Sequence, residues 1–255
     1  MQKSFYLNFS IFLFLLLFIS CKNNKPEIIK IESSIIVLDT INVPEDDSAC
    51  SEIIASYKSK IAPLTNIIGH SELVMAKEKP EGLLNNFVAD LIFEKGKKYF
   101  KSKNQQDNID FCLLNMGSLR KSLPKGKITE ADIYELMPFN NKLVVITLSG
   151  EKTNELLEYI ASQGGEVVAN LKMKIINKKT QDVFINGKAF DINKKYKILT
   201  YDYLASGGDN MKFFLEPIKM ELIDIVGRDA ILEYIIEETE EGNKLSAELD
   251  GRIYN

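Results

Sequence analysis

Residues 109–120 read Ile-Asp-Phe-Cys-Leu-Leu-Asn-Met-Gly-Ser-Leu-Arg. Ile109 to Leu114 is a short, nearly continuous apolar run, the pattern of a strand buried on both faces. Asn115 to Arg120 then turns polar around Gly117, the pattern of a loop. A buried strand that runs into a polar loop ending in arginine is a rigid scaffold presenting a binding group. Two further stretches share this design. Leu136-Met-Pro-Phe-Asn-Asn141 leads into the strand-like run Leu143 to Leu148 and then Ser149-Gly150. The strand-like run Tyr196 to Thr200 leads into Tyr-Asp-Tyr-Leu-Ala-Ser-Gly-Gly-Asp, which ends at Asp209.

Working outward from these strands, helices and strands alternate along the chain. Ile53, Ile54, Tyr57 and Ile61 recur at helical spacing, in a helix near Cys50 that Pro63 stops. Strand material follows around Ile67, Ile68, Leu73 and Val74. Leu83, Leu84, Phe87, Val88, Leu91 and Ile92 form an amphipathic helix with a basic end at Lys95 to Lys98, where a helix C-terminus favours positive charge. Thr129-Glu-Ala-Asp132 resembles a capping box that opens a helix through Leu136, with Asp in place of the usual Glu. Ser149 caps a helix to about Ala161, and Gly164-Gly165 turns the chain. Short strands near Val167, Met173 to Ile176 and Val183 to Ile185 follow, the last closed by an Asn186-Gly187 hairpin turn. Asp229 to Glu238 is the last helix. Because several strands are linked by hairpins, the pattern predicts a mixed α/β (α+β-like) sheet arrangement rather than a doubly wound nucleotide fold.

The sequence has 255 residues, a formal net charge of −4, one histidine and no tryptophan. An acidic balance argues against a nucleic-acid footprint, which needs clustered Lys and Arg. At the N-terminus, Lys3 precedes an almost wholly apolar stretch from Phe5 to Ile19, too short for a comfortable membrane span and suited to a signal-peptide core. Phe18-Ile-Ser-Cys21 resembles a lipobox, which implies cleavage before Cys21 and lipid attachment to its thiol. The expected organisation is a signal peptide at 1–20, a lipidated tether at 21–48 and one folded domain at 49–255. The tether carries two prolines and one apolar patch, Ser34 to Leu38, that could add a strand to the domain. The expected location is the cell envelope, lipid-anchored, with the outer membrane favoured by Lys22 after the cysteine. Cys50 and Cys112 are read as free, mostly buried thiols ahead of a disulfide between them, since spacing alone does not fix their distance.

Taken together, Asn115-Met-Gly-Ser-Leu-Arg120, the Pro138-Phe-Asn-Asn141 segment with its strand and Ser149-Gly150, and Thr200 to Asp209 resemble the C-terminal domain of the 5′-nucleotidase and cyclic phosphodiesterase family. Their order and separations are similar to the family's from about Ile53 to Ile253. The resemblance implies a layered α/β/β/α fold and a nucleotide or nucleoside as ligand. It places Phe139 and Tyr203 as two rings that clamp the base, where stacking is worth roughly 1–3 kcal/mol per base. It sets Arg120 toward the phosphate as a planar cationic fork, Asn141 at the base edge, Asp209 at the ribose hydroxyls and Gly165 on the ribose side. The family places two more arginines before its first long helix. Here that stretch reads Val74-Met-Ala-Lys-Glu-Lys79, where lysines offer point charges instead of forks.

Family hydrolysis uses two metal ions held by several His and Asp ligands. The sequence lacks those motifs; its single histidine, His70, reads as a surface strand or turn residue. No catalytic residue, metal site or cofactor is therefore expected in this chain, and a divalent metal pair is expected only in a partner. The first expectation is a recognition half that works with a separate exported metallophosphoesterase. The alternative is a non-catalytic binding or scaffold lipoprotein that kept the fold and lost the reaction.

Overall fold

The computed structural model describes residues 30–35, 47–102 and 108–255. The signal segment, Cys21 and most of the tether, with the second half of the Ser34 to Leu38 patch, lie outside these. Residues 30–35 have no regular structure and are exposed. No helix among the described residues is long and apolar enough to cross a membrane. The chain divides between Ser51 and Glu52, and the fold below is that of Glu52–Asn255.

Helix α1 (Ser48–Ile61) crosses that division. It forms where the spacing placed it, but Ile53, Ile54, Tyr57 and Ile61 are all more than half exposed. Cys50 is exposed too, against the expectation of burial, because it sits in the first turn of this helix. There its N–H donates to Asp47 Oδ1 at 3.0 Å. Cys112 is buried and free, and burial pushes its thiol well up, so it remains protonated.

β1 (Ile67–Ser71) pairs antiparallel with β3 (Gly126–Thr129) and carries His70 on its exposed side. Between them come α2 (Leu83–Ser102) and β2 (Phe111–Leu114). α2 buries Leu84, Phe87, Val88, Leu91 and Ile92, each worth about 1.5–3 kcal/mol relative to exposure. Its expected basic end differs from the finding. Lys95 is buried, with Nζ 2.6 Å from Glu237 Oε1, and the helix runs on to Ser102.

α3 (Glu130–Leu136) opens on the capping box. Thr129 Oγ1 accepts from Asp132 N at 3.3 Å, and Asp132 Oδ2 accepts from Thr129 N at 2.9 Å. β4 (Lys142–Ser149) leads into α4 (Gly150–Gln163), where Ser149 Oγ accepts from Lys152 N and Gly164 ends the helix at φ 73°. β5 (Val167–Ala169), β6 (Leu171–Ile176), β7 (Lys179–Ile185) and β8 (Lys188–Ala189) follow. Asn186 and Gly187 have φ of 51° and 69°, and Ile185 pairs with Lys188, which is the two-residue hairpin expected from Asn-Gly. The chain then forms β9 (Lys195–Tyr201), a one-turn helix α5 (Asp202–Ala205), β10 (Lys219–Val226), α6 (Gly227–Glu240) and β11 (Ile253–Tyr254).

The main sheet has the order β10-β4-β9-β2-β5, with β2 and β9 parallel and the other pairs antiparallel. β2 and most of β4 are buried, as continuous apolar runs at the centre of a covered sheet should be. The second sheet has the order β11-β6-β7-β8. α2 packs on β2 and β5, and α6 packs on α2, β1 and β10. α4 packs on β4 and β9 of one sheet and on β7 of the other. The expected mixed α/β architecture is therefore present. Edge strand β10 escaped the sequence reading. Its run Lys-Met-Glu-Leu-Ile-Asp-Ile-Val mixes charges into the apolar positions, because only Ile223 and Ile225 face inward.

Candidate functional site

The three loops singled out by sequence meet at one end of the main sheet. The 115–120 loop leaves the end of β2, the 137–141 segment joins α3 to β4, and the 202–210 segment leaves β9. They enclose a cavity of about 280 Å³ bordered by Asn115, Gly117, Ser118, Arg120, Phe139, Asn141, Tyr203 and Asp209. This volume lies just below the usual range of small-molecule sites, roughly 300–1,000 Å³.

Phe139 and Tyr203 both border this space and are 38% and 45% exposed, so neither ring is committed to the core. Tyr203 lies close over Gly208, where a Cβ would come within 2.6 Å of its ring. Only glycine leaves room for the ring in that position. Tyr203 Oη donates to Asp209 Oδ1 at 2.9 Å, and Asn115 Nδ2 donates to Asp209 Oδ2 at 2.6 Å. Asp209 itself has a left-handed backbone, φ 52°, which Asp tolerates better than most residues. Its carbonyl accepts from Tyr159 Oη on α4 at 2.9 Å. Burial pushes the Tyr159 phenol up to about 12, so it stays a donor through the neutral range.

The adjoining wall is the 115–120 loop. Arg120 is exposed and reaches back only weakly to Gly117 O, at 3.5 Å, so its fork is available to a ligand. Behind the loop, the buried Glu166 accepts from Met116 N at 2.8 Å through Oε2. Burial raises the Glu166 carboxyl above its ordinary range. Lys77 Nζ donates to Met116 O at 3.2 Å and to Leu119 O at 2.7 Å, and Lys79 Nζ donates to Gln163 O. The two lysines of the stretch before α2 thus tie backbone carbonyls of neighbouring segments.

Arg120, Phe139, Asn141, Tyr203 and Asp209 therefore come together on one cavity. Gly165 is placed differently. It is buried at φ 114°, and a Cβ there would stand 2.2 Å from Pro80 O, so it serves a close backbone crossing and does not border the cavity. The sequence reading gave no role to Asn115, Tyr159, Glu166 or Arg228. Asn115 stood inside a quoted motif and was available to it. Tyr159 and Glu166 approach only through the packing of α4 and the turn after it. Arg228 donates from Nη2 to Asn140 Oδ1 at 2.9 Å, with its guanidinium 4.4 Å from the Tyr134 ring centre. It thereby braces the loop that carries Phe139, from a helix 88 residues away in sequence.

The residues present do not fit the family's metal pair. The sequence holds one histidine, which is exposed on β1, and the described residues contain no group of three or more His, Cys, Asp or Glu placed to hold an ion.

The sequence pattern of the 5′-nucleotidase C-terminal domain matches residues 60–216. The 5′-nucleotidase of Vibrio vulnificus is 26% identical over 170 residues, 65% of this chain and 30% of that protein. A trifunctional nucleotide phosphoesterase of Bacillus subtilis is 23% identical over 244 residues, 87% of this chain and 16% of that protein. The chain thus spans less than a third of the length of these curated relatives. Among solved structures, a 5′-nucleotidase precursor from Thermus thermophilus superposes with a TM-score of 0.69 at 24% identity, over 83% of this chain and 43% of that one. The NAD nucleotidase of Haemophilus influenzae superposes with a TM-score of 0.59 at 18% identity, over 82% of this chain and 41% of that one.

Proposed function

Because the chain belongs to the 5′-nucleotidase C-terminal domain family, we propose that its folded part recognises the nucleoside portion of nucleotides in 5′-nucleotidase-type hydrolysis. The observation that carries this reading is the convergence of two part-exposed rings, a free guanidinium and a carboxylate on one small cavity. A flat heterocycle stacks on Phe139 and Tyr203, and ribose hydroxyls donate toward Asp209. The metal ions that activate water and neutralise the leaving group belong, on this reading, to a separate exported metallophosphoesterase. Lipid attachment at Cys21 would hold the domain in the cell envelope, on the outer-membrane side.

Two measurements test this. Calorimetric titration of the full chain in detergent with adenosine is expected to show saturable binding at one site. Mixing the chain with an exported metallophosphoesterase from the same organism is expected to raise AMP hydrolysis above that of the phosphoesterase alone. Absence of adenosine binding would leave the non-catalytic scaffold as the better reading. Binding without any rise in hydrolysis at any ratio would remove the shared-enzyme part alone.

A further inference from the structure

On the nucleoside reading above, Phe139 and Tyr203 hold one base, yet the two rings come from different segments of the chain. What fixes the gap between them rests on that reading. Phe139 has no polar side-chain atom, so the backbone around it sets its position. β9 ends and β4 begins at the cavity, and the last pair of their ladder there is Leu143 with Tyr201. Beyond this rung the two chains part. One leads back through Lys142 and Asn141 to Phe139, the other forward through Asp202 to Tyr203.

Asp202 spans the parting. Its Oδ1 accepts from Lys142 N at 3.0 Å and from Tyr203 N at 2.8 Å. One carboxylate oxygen thus adds a side-chain rung to the ladder where each strand gives way to a ring-bearing segment. It grips the first chain three residues after Phe139 and the second at Tyr203 itself. Hydrogen bonds to a charged acceptor are stronger than those between neutral groups. Asp202 does not border the cavity, so any effect it has on a ligand passes through other residues. Other ties run elsewhere. Gly227 N donates to Asn141 O at 2.9 Å and Arg228 Nη2 to Asn140 Oδ1, which fastens the Phe139 segment to α6. Tyr203 Oη donates to Asp209 within its own loop. These bonds do not join one ring-bearing segment to the other.

The gap matters because dispersion falls steeply with distance. A radial gap of roughly 0.5–1 Å already forfeits a quarter to a half of the attraction between two surfaces. We propose that Asp202 is a positioning residue that sets the spacing of Phe139 and Tyr203, by holding the N–H groups of Lys142 and Tyr203 on one oxygen.

The test is calorimetric titration of the full chain in detergent with adenosine, with a thermal melt of each variant. Asp202→Ala is expected to weaken adenosine about 3- to 10-fold, as partial loss of stacking requires. Asp202→Asn keeps an acceptor oxygen and is expected to bind within about twofold of wild type. A merely structural role is separated by Phe139→Leu, which removes the ring and keeps an apolar side chain. With no ring left to space, Asp202→Ala on that background should change the affinity by less than about twofold. An equal loss in both backgrounds, or no rescue by Asp202→Asn, overturns the proposal. If Asp202→Ala melts too low to titrate, Asp202→Ser replaces it, since its oxygen lies one bond nearer the backbone, and the same outcomes decide. Wild type that fails to bind adenosine overturns the nucleoside reading itself. Adenosine binding that survives Asp202→Ala unchanged removes the role of Asp202 alone.

Discussion

Truncating Phe139 to alanine would remove one face of the proposed clamp and little else. The ring is 38% exposed and belongs to the loop between α3 and β4, so its loss opens no closed void in the core. Stacking on one aromatic ring contributes about 1–3 kcal/mol per base. At 1.4 kcal/mol per tenfold, the dissociation constant for adenosine should rise about 5- to 150-fold. Surface truncations usually change stability by less than about 1 kcal/mol, a shift of about 2–4 °C in melting temperature for a domain of this size. Calorimetric titration of wild type and Phe139→Ala, each with a thermal melt, separates the two effects. Tyr203→Phe serves as a companion. It keeps the ring but loses the 2.9 Å hydrogen bond to Asp209, and should cost about 0.5–1.5 kcal/mol of affinity through a less fixed carboxylate. If both rings hold one base, Phe139→Ala and Tyr203→Ala should be non-additive, since removing either face lets the base shift off the other. An unchanged adenosine affinity in Phe139→Ala, with the melt also unchanged, would refute the clamp.

Gly165→Ala should lower the melting temperature by several degrees, because a left-handed φ of 114° and a Cβ only 2.2 Å from Pro80 O both force the backbone to move; a thermal melt checks it, and an unchanged melt would mean the 79–80 segment yields freely. Glu166→Gln should change the pH dependence of stability. Burial raises the folded-state pKa of Glu166, so its contribution is fully present below the ordinary value near about 4.3 and is lost as pH rises through the raised one. The variant's melting temperature relative to wild type should therefore rise as pH climbs above the ordinary value near about 4.3, and a constant difference would contradict it. Arg252→Ala should destabilise by about 1–3 kcal/mol, read by denaturant unfolding. Its fork holds both oxygens of Asp90 at 2.7 and 2.8 Å and also Asp250 and the Val168 carbonyl, tying β11 to α2 and β5.

Local chemistry made much of this protein legible before any coordinates. Thr129 and Asp132 can only satisfy each other at a helix start, so the capping box was visible in four residues. Asn186-Gly187 admits two successive left-handed residues, so the hairpin was visible in two. The apolar runs at 111–114 and 143–148 had to be covered strands. Phe139 and Tyr203 stood out because aromatic rings among Asn, Ser and Gly have no core to enter. β10 did not stand out, because an edge strand buries one face and its charges break the run. The exposure of Ile53, Ile54, Tyr57 and Ile61 was equally invisible, since periodicity gives a stripe and not what the stripe faces.

The sequence by itself determined the identity of many elements, the loops that border the cavity and the family to which they belong, because capping, turn chemistry and periodicity act over a few residues. Only the tertiary structure decided how charge and hydrogen-bonding capacity are distributed at the site. Lys77 and Lys79 became carbonyl ties, Asn115 a donor to Asp209, and Glu166 and Arg228 braces behind two loops, while Gly165 moved to a backbone crossing. Such assignments depend on partners far away in the chain, and no local rule of sequence contains those distances.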